Sequence, residues 1–66
     1  MTVVVNGQPR DVAEGASLDA LLTTLGLSPG SVVIERNGEV VRRDEFGRIR
    51  LQDGDRLEIV RFVGGG

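Results

Sequence analysis

The strongest constraint on the fold is a single short helical segment that is apolar on only one side. Four leucines recur at the spacing i, i+3, i+4 and i+7: Leu18, Leu21, Leu22 and Leu25. Ser17 is a favourable helix N-cap, and Gly26 can adopt the left-handed conformation that ends a helix. So short a helix needs another surface to cover its apolar stripe. The sequence therefore predicts one helix packed on one face of a sheet.

Strand-forming segments lie on both sides of this helix. Two Asn-Gly pairs, at 6–7 and 37–38, are strong signals for tight hairpin turns. The predicted strands are 2–5, 8–12, 32–36, 39–41 and 56–63, with a short bridging strand at 48–51. Pro9 has no amide hydrogen, which indicates the solvent side of an edge strand or a bulge. The predicted class is α+β with the order ββαββ, a hairpin and a helix followed by two or more strands in a mixed sheet.

The predicted core combines the leucine stripe with one face of these strands. Its members are Val3, Val5, Val12, Leu18, Leu21, Leu22, Leu25, Val32, Ile34, Val40, Leu51, Leu57 and Ile59. The segment 42–47 is polar apart from Phe46 and is expected to form a loop with one helical turn. Residues 1–63 are predicted to form one domain, and 64–66 a flexible Gly-Gly-Gly tail.

Composition argues against an enzyme. The 66 residues include no Cys, His, Lys, Tyr or Trp, so all eight positive charges are arginines. General acid–base and nucleophilic catalysis draw mostly on the missing side chains. Asp53 and Asp55 flank a glycine, but a hard cation needs six or more oxygen ligands. A plain turn is the better interpretation, and we predict no metal site and no bound cofactor.

Charge and hydropathy limit the partners. The formal net charge is −2 and Phe46 and Phe62 are the only aromatic residues, which argues against a nucleic-acid binder. No apolar run approaches the roughly 20 residues that span a bilayer. The N-terminus lacks the pattern of a secretory signal. We therefore expect a cytoplasmic protein that binds neither membrane nor nucleic acid.

The C-terminal glycines are the first candidate site. Gly64, Gly65 and Gly66 could form an arm whose only reactive group is the terminal carboxylate of Gly66. Three residues reach roughly 10 Å, and glycine has no Cβ to obstruct a narrow opening in a partner. The alternative is an unstructured end left by cloning. Residue spacing alone leaves both interpretations open.

Val60 and Phe62 are the second candidate site. Strand alternation places them on the face opposite Leu57 and Ile59, where they form an exposed apolar spot that could bind a partner. The alternative is that one of them is covered by a loop, and single exposed apolar residues are common. Four arginines between 42 and 50 are expected to be solvated, with a patch for an acidic partner as the minor alternative.

The order of motifs resembles a known family. The motifs are Asn37-Gly38-Glu39-Val40-Val41-x-Arg43, then Leu51-x-Asp53-Gly54-Asp55-x-Leu57-x-Ile59, and finally Gly65-Gly66. Together they resemble the ThiS family of ubiquitin-like β-grasp proteins, the sulfur carriers of thiamine biosynthesis, over essentially the whole chain. Two positions depart from the usual pattern: Arg42 replaces a common proline, and Phe46 a common tryptophan.

The resemblance implies a protein substrate rather than an enzyme. An E1-like activating enzyme would use ATP to adenylate the carboxylate of Gly66. A sulfur donor such as a cysteine desulfurase would then supply the sulfur of a thiocarboxylate, which thiazole synthase would build into the thiazole ring. The free carrier is expected to be a monomer. The alternatives are a sulfur carrier for molybdopterin, tRNA thiolation or amino-acid synthesis, and a non-catalytic β-grasp interaction domain.

Overall fold

A computed structural model describes residues 1–62, so the predicted tail and Val63 lie outside the described residues. The order of elements is ββαβββ, which places three strands after the helix. The strands are β1 (Thr2–Val5), β2 (Gln8–Asp11), β3 (Val32–Arg36), β4 (Glu39–Val41) and β5 (Arg56–Arg61). The helix α1 is Leu18–Leu25, and single 3₁₀ turns occupy Pro29–Ser31 and Arg43–Glu45. The predicted α+β architecture, with one helix on a mixed sheet, is confirmed.

The last strand of the chain lies at the centre of the sheet. The strand order is β2-β1-β5-β3-β4. β5 runs parallel to β1 and antiparallel to β3, and each outer pair is an antiparallel hairpin. β2 is an edge strand, so Pro9 lies where its missing amide hydrogen costs least. β5 therefore has a neighbouring strand on each side, β1 on one side and β3 on the other.

Both Asn-Gly turns are formed as predicted. Asn6 and Gly7 have φ angles of 49° and 82°, and Asn37 and Gly38 have φ angles of 51° and 87°. Left-handed backbone at both central residues is the geometry of the type I′ hairpin turn. Asparagine and glycine tolerate this region better than other residues.

The helix is capped at both ends by the residues that the sequence indicated. The Ser17 Oγ accepts a hydrogen bond from the Ala20 N–H at 3.1 Å. Gly26 ends the helix at φ 73°. With only eight residues, α1 depends on packing against the sheet for its stability. Among residues 1–62, no helix is long and apolar enough to cross a membrane.

Most of the predicted core is buried between α1 and the sheet. The buried apolar residues are Val3, Val5, Leu18, Leu21, Leu22, Val32, Ile34, Phe46, Leu51, Leu57 and Ile59. Val12 and Leu25 were predicted in this set, but they are only partly buried at its margin.

Val40 was wrongly assigned to the core, and its side chain is 67% exposed. The register explains the error. Val41 pairs with Ile34, whose side chain points to the helix, whereas Val40 pairs with the exposed Glu35. In a three-residue strand with two adjacent valines, composition cannot say which valine faces inward, and a shift by one residue exchanges the faces.

Phe46 is a core residue that the prediction left in a polar loop. It follows the 3₁₀ turn Arg43–Glu45 and is only 2% exposed. Its carbonyl accepts a hydrogen bond from the Asp19 N–H at 3.2 Å, which ties this loop to the first turn of α1. The predicted bridging strand at 48–51 is reduced to one bridge between Ser17 and Arg50.

Candidate functional site

Exposed apolar side chains lie at the end of β5, on the sheet face that α1 leaves open. Val60 is 60% exposed and Phe62 is 55% exposed, so the predicted exposure of both is confirmed. Val33 lies directly opposite Val60 in the β3–β5 ladder and is also exposed. We call Val33, Val60 and Phe62 the end patch. Val33 was not among the predicted binding residues, because its place beside Val60 depends on the pairing register of β3 and β5.

The end patch is attached firmly to the sheet. The Phe62 N–H donates a hydrogen bond to the Ser31 carbonyl at 2.8 Å, beyond the last residue of β5. Its neighbours Ile34 and Ile59 are buried core residues on the other face. The last described residue before the tail is therefore held by the main chain, while its side chain is exposed.

The electrostatic character of the open face changes over one step of the ladder. The next pair on the same face after Val33 and Val60 is Glu35 with Glu58, and both are exposed. Like charges directly opposite each other in a sheet do not stabilise it. The end patch is therefore an apolar surface with an acidic border on the side away from the tail.

The beginning of β5 is built very differently, around the buried carboxylate of Asp55. This side chain accepts hydrogen bonds from the Arg36 Nε at 3.0 Å, the Asn37 Nδ2 at 3.1 Å and the Gln52 N–H at 2.8 Å. Arg36 also forms a salt bridge with it at 2.9 Å. Burial alone would raise the pKa of Asp55, but these hydrogen bonds and the positive charge outweigh it, so the pKa lies below its ordinary value.

Asp53 and Asp55 form the predicted turn, and hydrogen bonds inside the domain occupy both carboxylates. Asp53 Oδ1 accepts the Thr2 N–H at 2.9 Å, which joins this turn to the first strand. Within residues 1–62, no group of three acidic, His or Cys side chains is placed to hold a metal ion. The deep burial of Asp55 was not predicted, because a turn between two polar residues carries no local signal for it.

The model of the ThiS family matches residues 3–66, which is nearly the whole chain. The chain belongs to the ThiS family. The predicted resemblance to this family is therefore confirmed.

A solved ThiS structure has the same fold. The crystal structure of the thiamine biosynthesis protein ThiS from Geobacter metallireducens superposes with a TM-score of 0.83. Its sequence is 39% identical, and the match covers all of both chains. This likeness confirms the ubiquitin-like β-grasp fold.

Curated relatives fall into two groups by length. The sulfur carrier protein ThiS of Bacillus subtilis is 38% identical over 50 residues, which cover 76% of each chain. A protein named thiazole synthase from Magnetococcus marinus is 42% identical over all 66 residues of this chain, and a second from Paramagnetospirillum magneticum is 41% identical. The chain spans only about a fifth of the length of these two thiazole synthases, 20% in each case.

Three predicted features of this ThiS-family chain remain: the glycine tail, the partner-binding residues and the arginine segment. Gly64, Gly65 and Gly66 lie outside the described residues, so the modification site stays a prediction. Binding of a partner to Val60 and Phe62 also stays a prediction, although their exposure is established. In the arginine segment, Arg42 pairs with Asp44 at 3.0 Å and both side chains are exposed, as expected of a solvated face.

Proposed function

We propose that this chain carries sulfur as a thiocarboxylate on Gly66 and donates it to the thiazole ring of thiamine. An α-carboxylate has a pKa near 3.5, so it is ionised at neutral pH and is a poor electrophile. An E1-like enzyme with ATP supplies the activation: a carboxylate oxygen attacks the α-phosphorus, and pyrophosphate leaves. The outer sulfur of a persulfide on a donor such as a cysteine desulfurase then attacks the acyl carbon, and AMP leaves. A thiol attacks the donor's cysteine sulfur in the resulting acyl disulfide, which forms a new disulfide on the donor and releases the thiocarboxylate. The carrier itself needs no catalytic side chain for any of these steps.

The observation that carries this proposal is the end patch, whose last residue, Phe62, lies two positions before the first of the C-terminal glycines. Val60 and Phe62 present apolar surface that the domain does not bury, and Val33 extends it. Burial of such surface is the usual source of binding energy at the centre of a protein interface. We assign the end patch to docking on the activating enzyme and on thiazole synthase.

Chain geometry limits where the partner's active site can lie. Four residues separate Phe62 from the terminal carboxylate of Gly66, and they reach at most about 14 Å. A partner that binds the end patch must therefore hold its reaction centre within that distance. This limit favours one continuous interface that includes both the patch and the entrance for the tail.

The comparisons favour thiazole synthase as the receiving partner. Two proteins with that name contain a region similar to this whole chain. Joining a carrier and its acceptor in one polypeptide raises their effective concentration. Under this proposal the carrier is a cytoplasmic monomer when free and binds no cofactor, because ATP belongs to the activating enzyme.

The direct test is the intact mass of the protein after reaction. The chain is incubated with its cognate activating enzyme, ATP and a sulfur donor. We expect the mass to rise by the difference between sulfur and oxygen, and fragmentation to place this change on Gly66. A variant without Gly65 and Gly66 should keep its fold and remain unmodified.

Three outcomes would contradict the proposal. They are an unchanged mass of the full chain, modification elsewhere in the sequence, and unfolding of the shortened variant. The reaction without ATP is the control for non-enzymatic addition of sulfur.

A further inference from the structure

We propose that Asn6 is a positioning residue, whose side-chain amide holds the end of β5 so that the end patch and the tail meet a partner in one orientation. This inference rests on the proposed carrier function and adds a residue to it. The Asn6 contact lies on the side of β5 that faces β1, because β1 is too short to form hydrogen bonds with the end of β5.

Strand β1 ends before β5 does. The last residue pair between them is Val5 with Leu57, and the Asn6 N–H donates to the Leu57 carbonyl at 2.8 Å. β5 continues to Arg61, but the chain beyond Asn6 turns away into the hairpin. The second half of β5 therefore has no β1 backbone beside it.

The side chain of Asn6 takes the place of the missing strand. Its Oδ1 accepts the Ile59 N–H at 2.8 Å, and its Nδ2 donates to the Ile59 carbonyl at 3.1 Å. The hydrogen bond between Phe62 and Ser31 belongs to the β3 side of β5, and alternation directs both backbone groups of Ile59 to the β1 side. One amide thus pairs both groups, which would otherwise lack a partner within residues 1–62.

The turn alone does not require asparagine at this position. Asn6 has a φ of 49°, a conformation that glycine adopts at least as easily. What asparagine adds is an amide of the right length to reach Ile59. Val60 follows Ile59 directly, so Ile59 is the last described residue of β5 that is anchored on the β1 side before the exposed side chains.

The second Asn-Gly turn provides a matched control. Asn37 has the same backbone conformation, and its Oδ1 accepts the Arg56 N–H at 3.0 Å. Its Nδ2 donates to Asp55 Oδ1 at 3.1 Å. The two asparagines therefore hold opposite ends of the same strand. Only Asn6 lies at the end from which the tail leaves.

Loss of the Asn6 amide should affect docking more than chemistry. With Ile59 released on one side, the end of β5 samples more orientations, and ordering it on binding costs free energy. The carboxylate of Gly66 keeps its intrinsic reactivity. We therefore expect the KM for the carrier in adenylation to rise about five- to tenfold, the loss of roughly 1 kcal/mol of hydrogen bonding, with little change in kcat.

The experiment compares Asn6→Gly with Asn37→Gly, both of which preserve the turn. Pyrophosphate release by the cognate activating enzyme gives kcat and KM for the carrier, and amide hydrogen exchange reports on the Ile59 N–H. Asn6→Gly should raise KM and speed exchange at Ile59. Asn37→Gly should leave KM unchanged, even where it lowers the melting temperature as much. Asn6→Asp keeps the acceptor but loses the donor, so its KM should lie between those of the wild type and Asn6→Gly.

Two results would overturn the positioning role. One is an equal rise in KM for both glycine variants, which would mark a general effect of stability. The other is a wild-type KM for Asn6→Gly despite faster exchange at Ile59. If the wild type itself is never adenylated, the proposed function fails and this role fails with it, while exchange at Ile59 still shows whether the hydrogen bonds form.

Discussion

The two ends of β5 obey the same strand alternation but have different uses. At its beginning, Leu57 is buried in the core and Asp55 is bound by Arg36, Asn37 and Gln52. At its end, Val60 and Phe62 remain exposed. The difference shows that side chains at the start of the strand stabilise the domain, whereas those at its end leave apolar surface available to other molecules.

The largest expected effect is at the buried end. Leu57→Ala removes a core side chain that is 1% exposed, and it should lower the free energy of unfolding by about 2–5 kcal/mol. A domain of this size has little stability in reserve, so much of the variant should be unfolded at 37 °C. Denaturant unfolding followed by circular dichroism measures the loss. A loss of less than about 1 kcal/mol in the free energy of unfolding would show that the beginning of β5 does not stabilise the domain.

A smaller effect is expected at the buried carboxylate. Asp55→Asn keeps the shape of the side chain but removes the negative charge that faces Arg36. An NH₂ group also replaces one carboxylate oxygen, so at least one hydrogen bond to that oxygen is lost. We expect a loss of about 1–3 kcal/mol at neutral pH. The matched control is Asp53→Asn, whose carboxylate accepts a backbone hydrogen bond in an exposed position and should matter less.

Asp55 also predicts how stability depends on pH. Its pKa in the folded state is lower than the ordinary value of 3.8. Because the folded-state pKa is the lower of the two, the contribution of Asp55 to the free energy of unfolding is complete above its pKa in the unfolded chain. This contribution is lost as the pH falls from that value through the folded-state pKa. Wild-type stability should therefore fall below about pH 4, and Asp55→Asn should show a flatter curve in this range. Equal acid dependence in both proteins would contradict this role.

The smallest effect on stability is expected at the exposed end. Phe62→Asp should change the free energy of unfolding by less than about 1 kcal/mol, as for other surface substitutions. It should nevertheless weaken binding to the cognate activating enzyme, because it places a charge in the end patch. Titration calorimetry measures the affinity.

Val40→Asp is the matched control for this charge. Val40 is more exposed than any residue of the end patch, but it lies on the edge strand β4. Val40→Asp should weaken binding to the activating enzyme less than Phe62→Asp does. A severe drop in melting temperature for Phe62→Asp would instead make Phe62 a core residue.

Local sequence signals predicted most of the fold. Ser17 and Gly26 act within one turn of the helix, and each Asn-Gly pair fixes its own hairpin, so neighbouring residues determine these features. The leucine stripe is likewise recognised from the spacing of its own residues, without information on the sheet that covers it. The exposure of Val60 and Phe62 followed from alternation along a single strand.

The sequence-based predictions failed where residues distant in the sequence determine whether a side chain is buried or exposed. Val40 and Val33 depend on the register between strands, which no local pattern contains. Phe46 is buried because its loop packs against the first turn of α1. The contact between Asn6 and Ile59 joins residues 53 positions apart, and the only local signal for Asn6 was its turn. A large apolar residue in an otherwise polar segment could have marked Phe46 as buried.

The central claim, that partners use the end of β5, is tested most directly by hydrogen exchange on the intact carrier with and without its activating enzyme. Slower exchange should appear at the end of β5 and the start of β3, around Phe62 and Val33, and not in α1. Exchange near Asp55 should be unchanged, because that end already has its contacts within the domain. Protection centred on α1, or none on β5, would contradict the account.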